Sequence, residues 1–363
     1  MKNEIFDELF VLELANNHLG DIHRGLRIIQ EHGQVVRFNN VRATIKLQFR
    51  DVDNFIHKDF RDRQDIRYIK KTLDTKMTKE AYATLLDAVR KNGCMTSATP
   101  FDEASVELCE ELDVDFIKLA SSDLNDWFLI EKIAKIRRPV IASTGGSSTK
   151  DIDDLVKFFQ NRDIPFALNH CVSIYPSEDS EVELNQLDFL RNRYPNVVIG
   201  YSTHEYTDWK NSIMMAYAKG ARTFERHIDI EYGGVPVSPY NSLPHQVDEW
   251  FKAFKKAKEM CGGSGSERRN LPSKEVKYLD ALVRGVYAKR DLPQGYEITQ
   301  ENILEDFYLA IPLQKGQISC RELMNGEVLT KAIAKDAALS LEYIEGPYSA
   351  NPQLKSILSD RGI

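Results

Sequence analysis

Residues 196–229 read NVVIGYSTHEYTDWKNSIMMAYAKGARTFERHID, and three segments can be told apart in them. Val197 to Ser202 and Arg222 to His227 are short apolar runs enriched in β-branched residues. Asp208 to Lys219 between them has helical period. A strand, a helix and a second strand within so short a span imply two parallel strands joined by a crossover. Both runs end in a histidine, His204 just past the first and His227 at the close of the second.

Working outward towards the N-terminus, the same unit recurs. Further strand-like runs lie at Phe10 to Ala15, Val41 to Gln48, Cys94 to Ala98, Val114 to Ala120, Val140 to Thr144 and Pro165 to Cys171. Helical periods fall at Lys79 to Lys91, Glu103 to Leu112, Asp126 to Ile136, Asp151 to Asn161 and Leu184 to Arg193. Strands that are apolar on both sides suit a sheet covered by helices. Eight such units over about 230 residues fit an α/β fold of the closed (β/α)8 TIM-barrel type. A doubly wound open sheet also alternates, but it seldom needs eight regular units and would leave two edge strands to protect.

Towards the C-terminus the pattern changes. After a helix at Gln246 to Met260 comes CGGSGSERRNLPSK, a stretch of glycine, serine and charge that reads as a linker. The expected organisation is a catalytic barrel over 1–262, a linker over 263–276, a small β-rich domain over 277–340 and a tail over 341–363. The tail has little pattern and is expected to pack on a neighbour or stay mobile. At 363 residues the chain exceeds the roughly 250 at which one core stops growing, in keeping with two domains.

Composition narrows the partners. With 48 basic and 55 acidic residues the net charge is −7, which gives no global attraction to nucleic acid or to an anionic membrane. An anionic ligand must therefore meet a local cluster of cations. Cys94, Cys109, Cys171, Cys261 and Cys320 are scattered without CxxC spacing, and five cannot all pair within the chain. The N-terminus carries acids where a signal peptide carries bases, and no apolar run approaches about 18 residues. A cytoplasmic location is expected, with neither membrane nor nucleic acid as partner.

In a barrel of this type the chemistry sits at the C-terminal ends of the strands. Polar residues gather there: Glu13, Asn16, Asn17 and His18 after the first run, Lys46 and Gln48 in the second, Thr99 and Asp102 after the third. Lys118, Ser121 and Asp123 follow, then Ser143 and Thr144, then His170, Ser173 and Tyr175, then Ser202 and His204, and finally Glu225 and His227. His204 and His227 end consecutive strands, which are neighbours in a closed barrel, so the two imidazoles can share one divalent ion. Two hydrogen-bonded core histidines are the alternative. Glu13 is a third ligand or a catalytic carboxylate. Lys46 and Lys118 lie within buried strands and need anionic partners; serine hydroxyls from Ser121, Ser143 and Ser202 beside them describe a phosphate or carboxylate site better than a core ion pair.

These residues stand in segments that resemble the sialic acid synthase family: ELANNHLGD at Glu13 to Asp21, IKLQF at Ile45 to Phe49, TPFD at Thr99 to Asp102, FIKLASSD at Phe116 to Asp123 and IASTGG at Ile141 to Gly146. NHCVSIYPSED at Asn169 to Asp179, GYSTHE at Gly200 to Glu205 and FERHID at Phe224 to Asp229 complete the set. The small domain is similar to the family's antifreeze-like SAF module, most clearly in VYAKRDLPQGYEIT at Val286 to Thr299. The resemblance implies condensation of phosphoenolpyruvate with a sugar aldehyde to a sialic-acid-like nonulosonate, with release of phosphate. It implies that His204 and His227 bind manganese, with magnesium or cobalt as alternatives. Lys46, Lys118, Ser121, Ser143, Tyr175 and Ser202 would hold phosphoenolpyruvate, and Glu13 would move a proton or orient water. Gln48, Thr99, Asp123 and Arg63 would meet the sugar, and a domain-swapped homodimer is expected.

Departures from the family pattern fall on the sugar side. Ser122 and Asp123 replace a glycine-glutamate pair, Thr203 stands inside the usual SDH and Ser173 replaces an asparagine. Ser238 lies where an aspartate is expected, Arg63 near the place of the asparagine that recognises the N-acyl group, and Phe307 near the place of an arginine in the SAF module. An acceptor other than N-acetylmannosamine follows, and a negatively charged one would pair with Arg61 or Arg63. Two other readings remain at this stage: a metal-dependent aldolase or lyase acting on pyruvate, and a non-catalytic protein that binds sugar acids.

Overall fold

The structure, a computed structural model, describes residues 4–263, 265–319, 324–359 and 361–362. It divides after Gly262 into two compact units. Cys320, one of the five cysteines counted above, lies outside the described residues.

The first unit is a closed barrel of eight parallel strands in sequence order. The strands are β1 Leu9–Ala15, β2 Arg42–Phe49, β3 Met95–Pro100, β4 Phe116–Leu119, β5 Val140–Ser143, β6 Phe166–Cys171, β7 Val198–Thr203 and β8 Thr223–His227. Each matches an expected run to within a few residues. The ring closes where β1 pairs with β8, which sets Glu13 opposite His227. On its other side Glu13 faces Lys46 of β2.

Side chains alternate between the two faces of a strand, and the alternation separates two apolar clusters. Phe10, Leu12 and Leu14 of β1 join Ile45, Leu47 and Phe49 of β2 in the large cluster under the surrounding helices. The intervening residues line the bore. At the bottom Leu9, Val11, Phe116, Ile141 and Ala167 form a separate plug with Phe6. Above the plug the lining turns polar, where Thr44 Oγ1 donates to Ser97 Oγ at 2.9 Å and Thr223 bonds Asn169. One further step of two residues along the strands brings Glu13, Lys46, Thr99, Lys118, Ser143, Ser202 and Glu225 to the upper layer. Gly200 leaves room for this packing, because a β-carbon there would meet Thr223 and Asn169.

The helices start where the sequence supplies oxygen acceptors for their free amides. Asp21, Thr78, Asp102 and Asp126 cap the helices Ile22–Asn39, Lys79–Lys91, Glu103–Glu111 and Trp127–Ile136, and Ser148 with Asp151 forms a capping box on Thr149–Asn161. Asp102 does more than cap. Its Oδ1 accepts from Ser105 N at 2.7 Å and its Oδ2 from Asp51 N at 2.8 Å, tying the end of β2 to that of β3.

The second unit spans Gly263 to Ile363. β9 (Gly285–Ala288) pairs antiparallel with β11 (Phe307–Ala310). β10 (Glu297–Ile298), β12 (Glu327–Leu329) and β13 (Ile344–Glu345) form a three-stranded sheet. β9 and β10, consecutive in the chain, therefore pair with other partners rather than with each other. Two boundaries change. The expected linker over 263–276 already contains the start of a helix, Ser273–Asp280. The tail over 341–363 belongs to this unit: Ile344 and Leu358 are buried in its core, and Arg361 Nη2 pairs with Asp280 Oδ1 at 2.6 Å. Apolar residues spaced through a polar tail were enough to anchor it.

Among the described cysteines Cys94, Cys109 and Cys171 are buried and free and Cys261 is exposed and free. Among the described residues no helix is long and apolar enough to cross a membrane.

Candidate active site

A cluster of four buried charges occupies the upper layer of the bore. Lys118 Nζ lies 2.7 Å from Glu225 Oε2, and Lys46 Nζ lies 3.0 Å from Glu225 Oε1 and in contact with Glu13. Lys118 also donates to Ser143 Oγ, and Lys46 donates to Thr99 Oγ1 at 3.2 Å. Two lysines and two carboxylates would cancel if all were ionised. Their protonation is uneven. Burial alone would raise Glu225, but Lys118 and then Lys46 hold its pKa down to about 2. Burial raises the Glu13 carboxyl in spite of Lys46, and Glu13 Oε1 has no hydrogen-bond partner. Burial likewise pushes the Lys118 ammonium down from its ordinary value although Glu225 opposes it, so the charges in this layer are finely balanced and sensitive to an anion placed beside them.

Beside these charges stand two imidazoles. The rings of His204 and His227 are 5.4 Å apart between centroids. Burial lowers the pKa of His204 to about 4 and that of His227 well below the ordinary value, so both are neutral near pH 7. His204 Nδ1 is bonded to the Val172 carbonyl at 2.9 Å, which fixes the tautomer and leaves Nε2 as a lone-pair donor. Tyr175 packs over His204 at 3.9 Å, and Tyr240 stands edge-on to His227. This donor set fits a divalent ion, with neutral nitrogens of which one is oriented by a backbone oxygen. Among the described residues no group of three His, Cys, Asp or Glu side chains is placed to hold a metal.

Loop residues complete the rim. Gly145 N donates to Ser121 Oγ at 3.1 Å, and a β-carbon on Gly145 would run into Ser173 and Ser121. Cys171 lies within hydrogen-bonding range of Ser121 and Ser202. Asp123 is largely buried with Oδ2 unpartnered, and burial lifts its pKa to about 6. Gln48 Oε1 accepts from Arg50 Nη1 at 3.1 Å.

The barrel thus brings together Glu13, Lys46, Lys118, Ser143 and Thr99 in one bonded cluster, with Ser202 in register beside Glu225. His204, His227 and Tyr175 form the adjoining aromatic group. Thr99, expected at the sugar, is engaged by Lys46. Arg63 is not brought to the site: it is exposed and closes a two-point pair with Asp65, both contacts at 2.7 Å. Arg61 likewise turns away and donates to the Asp53 carbonyl. Arg63 is thus captured by an acid of its own segment, and Arg61 by a backbone oxygen eight residues earlier.

Residues 39–264 match the family model described as NeuB family. The chain belongs to the NeuB family. It is 26% identical to the human N-acetylneuraminate-9-phosphate synthase over 296 residues, 80% of each chain, and 24% identical to a Campylobacter jejuni pseudaminic acid synthase over 81% of this chain and 85% of that one. A crystal structure from Chromobacterium violaceum, assigned to spore coat polysaccharide biosynthesis as protein E, superposes with a TM-score of 0.89 at 34% identity, covering 93% of this chain and all of the other. The human and Campylobacter jejuni relatives are both named synthases of sialic or related acids, and this NeuB-family chain is an enzyme.

Glu225 is the site residue that sequence reasoning left without a role. It stood among the strand-end polar residues, and a charge count would have singled it out: two buried lysines need two carboxylates, and Glu13 supplies one.

Proposed function

We propose that this NeuB-family enzyme condenses phosphoenolpyruvate with a sugar aldehyde to give a 2-keto-3-deoxy sugar acid of the nonulosonate type and inorganic phosphate. The observation that carries the reading is the buried pair Lys46 and Lys118, held with serine hydroxyls at the strand ends beside two neutral histidines. The lysines, Ser143 and the Ser121–Gly145 cradle receive the carboxylate and phosphate of phosphoenolpyruvate. His204 and His227 hold a divalent ion, manganese first and magnesium or cobalt as alternatives, which when bound supplies Lewis-acid polarisation of the aldehyde. Carbon 3 of the enolpyruvate forms the new bond to the aldehyde carbon, water adds at carbon 2, and phosphate leaves as its bond to carbon 2 breaks. Glu13, its pKa raised by burial and one oxygen without a hydrogen-bond partner, gives or takes the proton. Gln48 and Asp123 line the acceptor side. The enzyme works as a homodimer, and the second unit is the SAF module that the resemblance implies.

Phosphate release with phosphoenolpyruvate, manganese and a panel of aldoses tests the proposal. Release only when an aldose is present supports condensation. Carbon–carbon bond formation from pyruvate in its place would favour the aldolase reading instead. Glu13→Gln is expected to lower turnover by roughly 10²–10⁴-fold while still binding phosphoenolpyruvate. His227→Ala is expected to lose manganese binding in calorimetric titration with the fold intact. Light scattering reads the oligomeric state.

A further inference from the structure

Arg50, directly after β2, departs from the balance of the other buried charges. Its guanidinium carbon sits over the Phe101 ring, 3.7 Å from the centroid, and 5.7 Å from the Phe55 centroid. Nη1 donates to Gln48, and among the described residues neither Nε nor Nη2 makes a hydrogen bond and no carboxylate comes within ion-pair distance. Asp102, next to Phe101, is occupied by the backbone amides of Ser105 and Asp51. Asp123 and Glu13 act on Arg50 only through space. A second cationic element lies close by: the helix Arg67–Asp74 carries Arg67 and Lys71 four residues apart on one face, and the charge of Lys71 reaches Arg50 and His227.

We infer that Arg50, stacked on Phe101 and backed by Lys71, forms an anion subsite for the acceptor, so that the enzyme selects an aldose bearing a phosphate or carboxylate group. The inference rests on the condensation reading, since Gln48 and Asp123 are taken as the acceptor side. Stacking fixes the guanidinium plane and desolvates one face, leaving an edge of donors whose geometry matches two oxygens of an anion. A neutral sugar would leave that edge unpaired once water is excluded, and this penalty gives the discrimination.

Calorimetry on the manganese-loaded, full-length enzyme tests it. Phosphoenolpyruvate, mannose 6-phosphate, glucuronate and mannose are titrated separately into wild type, Arg50→Met and Arg50→Lys. The expected result is a preference for an anionic probe over mannose of roughly tenfold or more in wild type. Arg50→Met abolishes it, Arg50→Lys keeps part of it, and phosphoenolpyruvate binds all three alike. Comparing the phosphate and carboxylate probes shows which anion is meant. Equal binding of mannose and the anionic probes to wild type overturns the inference. So does an undiminished preference in both variants, or a change only in the pH response that Asp123 governs, which would make Arg50 a structural counter-charge. If phosphoenolpyruvate fails to bind while the anionic sugars keep their Arg50-dependent preference, the condensation reading falls and the subsite stands.

Discussion

Glu225 is the counter-charge that lets two lysines lie in one barrel bore. Removing its charge as Glu225→Gln leaves Lys46 and Lys118 with Glu13 alone, and the loss should be about 3–5 kcal/mol, read by chemical denaturation at pH 7. A loss within error of zero would show that the lysines are neutral or otherwise satisfied. The pH dependence has a definite sign. Glu225 has a folded pKa of about 2 against an ordinary value of 4.5, so its contribution is complete above 4.5 and disappears as pH falls towards 2. Wild type should lose that increment over this window and the variant should not. Asp123 behaves oppositely, since burial lifts it to about 6. Below that pH it becomes a neutral acid, and the KM for the acceptor should rise while that for phosphoenolpyruvate stays level; Asp123→Asn should remove the inflection. A flat acceptor KM from pH 5 to 8 in wild type would take Asp123 out of sugar binding. The sequence made the two histidines, the two lysines and Glu13 legible because ionisable residues inside apolar runs are conspicuous. It could not show that Arg63 would be captured by Asp65, two positions on, or that Arg50 would lie on Phe101, because side-chain partners are chosen among several within reach.

At the scale of elements, strand period and helix caps did most of the positioning. Alternation sends Thr223, Glu225 and His227 to one face, and parallel register then sets Ser202 beside Glu225 and Glu13 beside both Lys46 and His227. Asp102→Ala should cost roughly 1–2 kcal/mol as a lost cap. It should also loosen the β2–β3 rim, because the Asp51 amide loses its acceptor. The measurements are thermal unfolding and proteolysis in the segment after β2, and unchanged protection there would limit Asp102 to its own helix. The strand runs and the capped helices were legible from periodicity. The short strands of the second unit were not, since β10 and β13 have two residues each and offer no period to read. Their pairing is set by partners distant in sequence.

Across the whole molecule the two units have separate apolar clusters, one around the barrel and one built from Val286 to Leu358. The chain ended after Gly262 should therefore keep a cooperative unfolding transition by circular dichroism. A molten response would mean that the barrel depends on the second unit for stability. The sequence by itself determined the eight strand–helix units, the break after the last barrel helix and the presence of phosphate-type and metal-type residues, because periodicity and residue chemistry are local. Tertiary structure alone decided how the charges are shared. Closing the ring places Glu13 next to His227, and the bore sets one glutamate between two lysines. Exclusion of water then neutralises both histidines and raises Glu13. Those outcomes depend on which distant strands become neighbours and on how much solvent remains between them, and neither is written in any short stretch of chain.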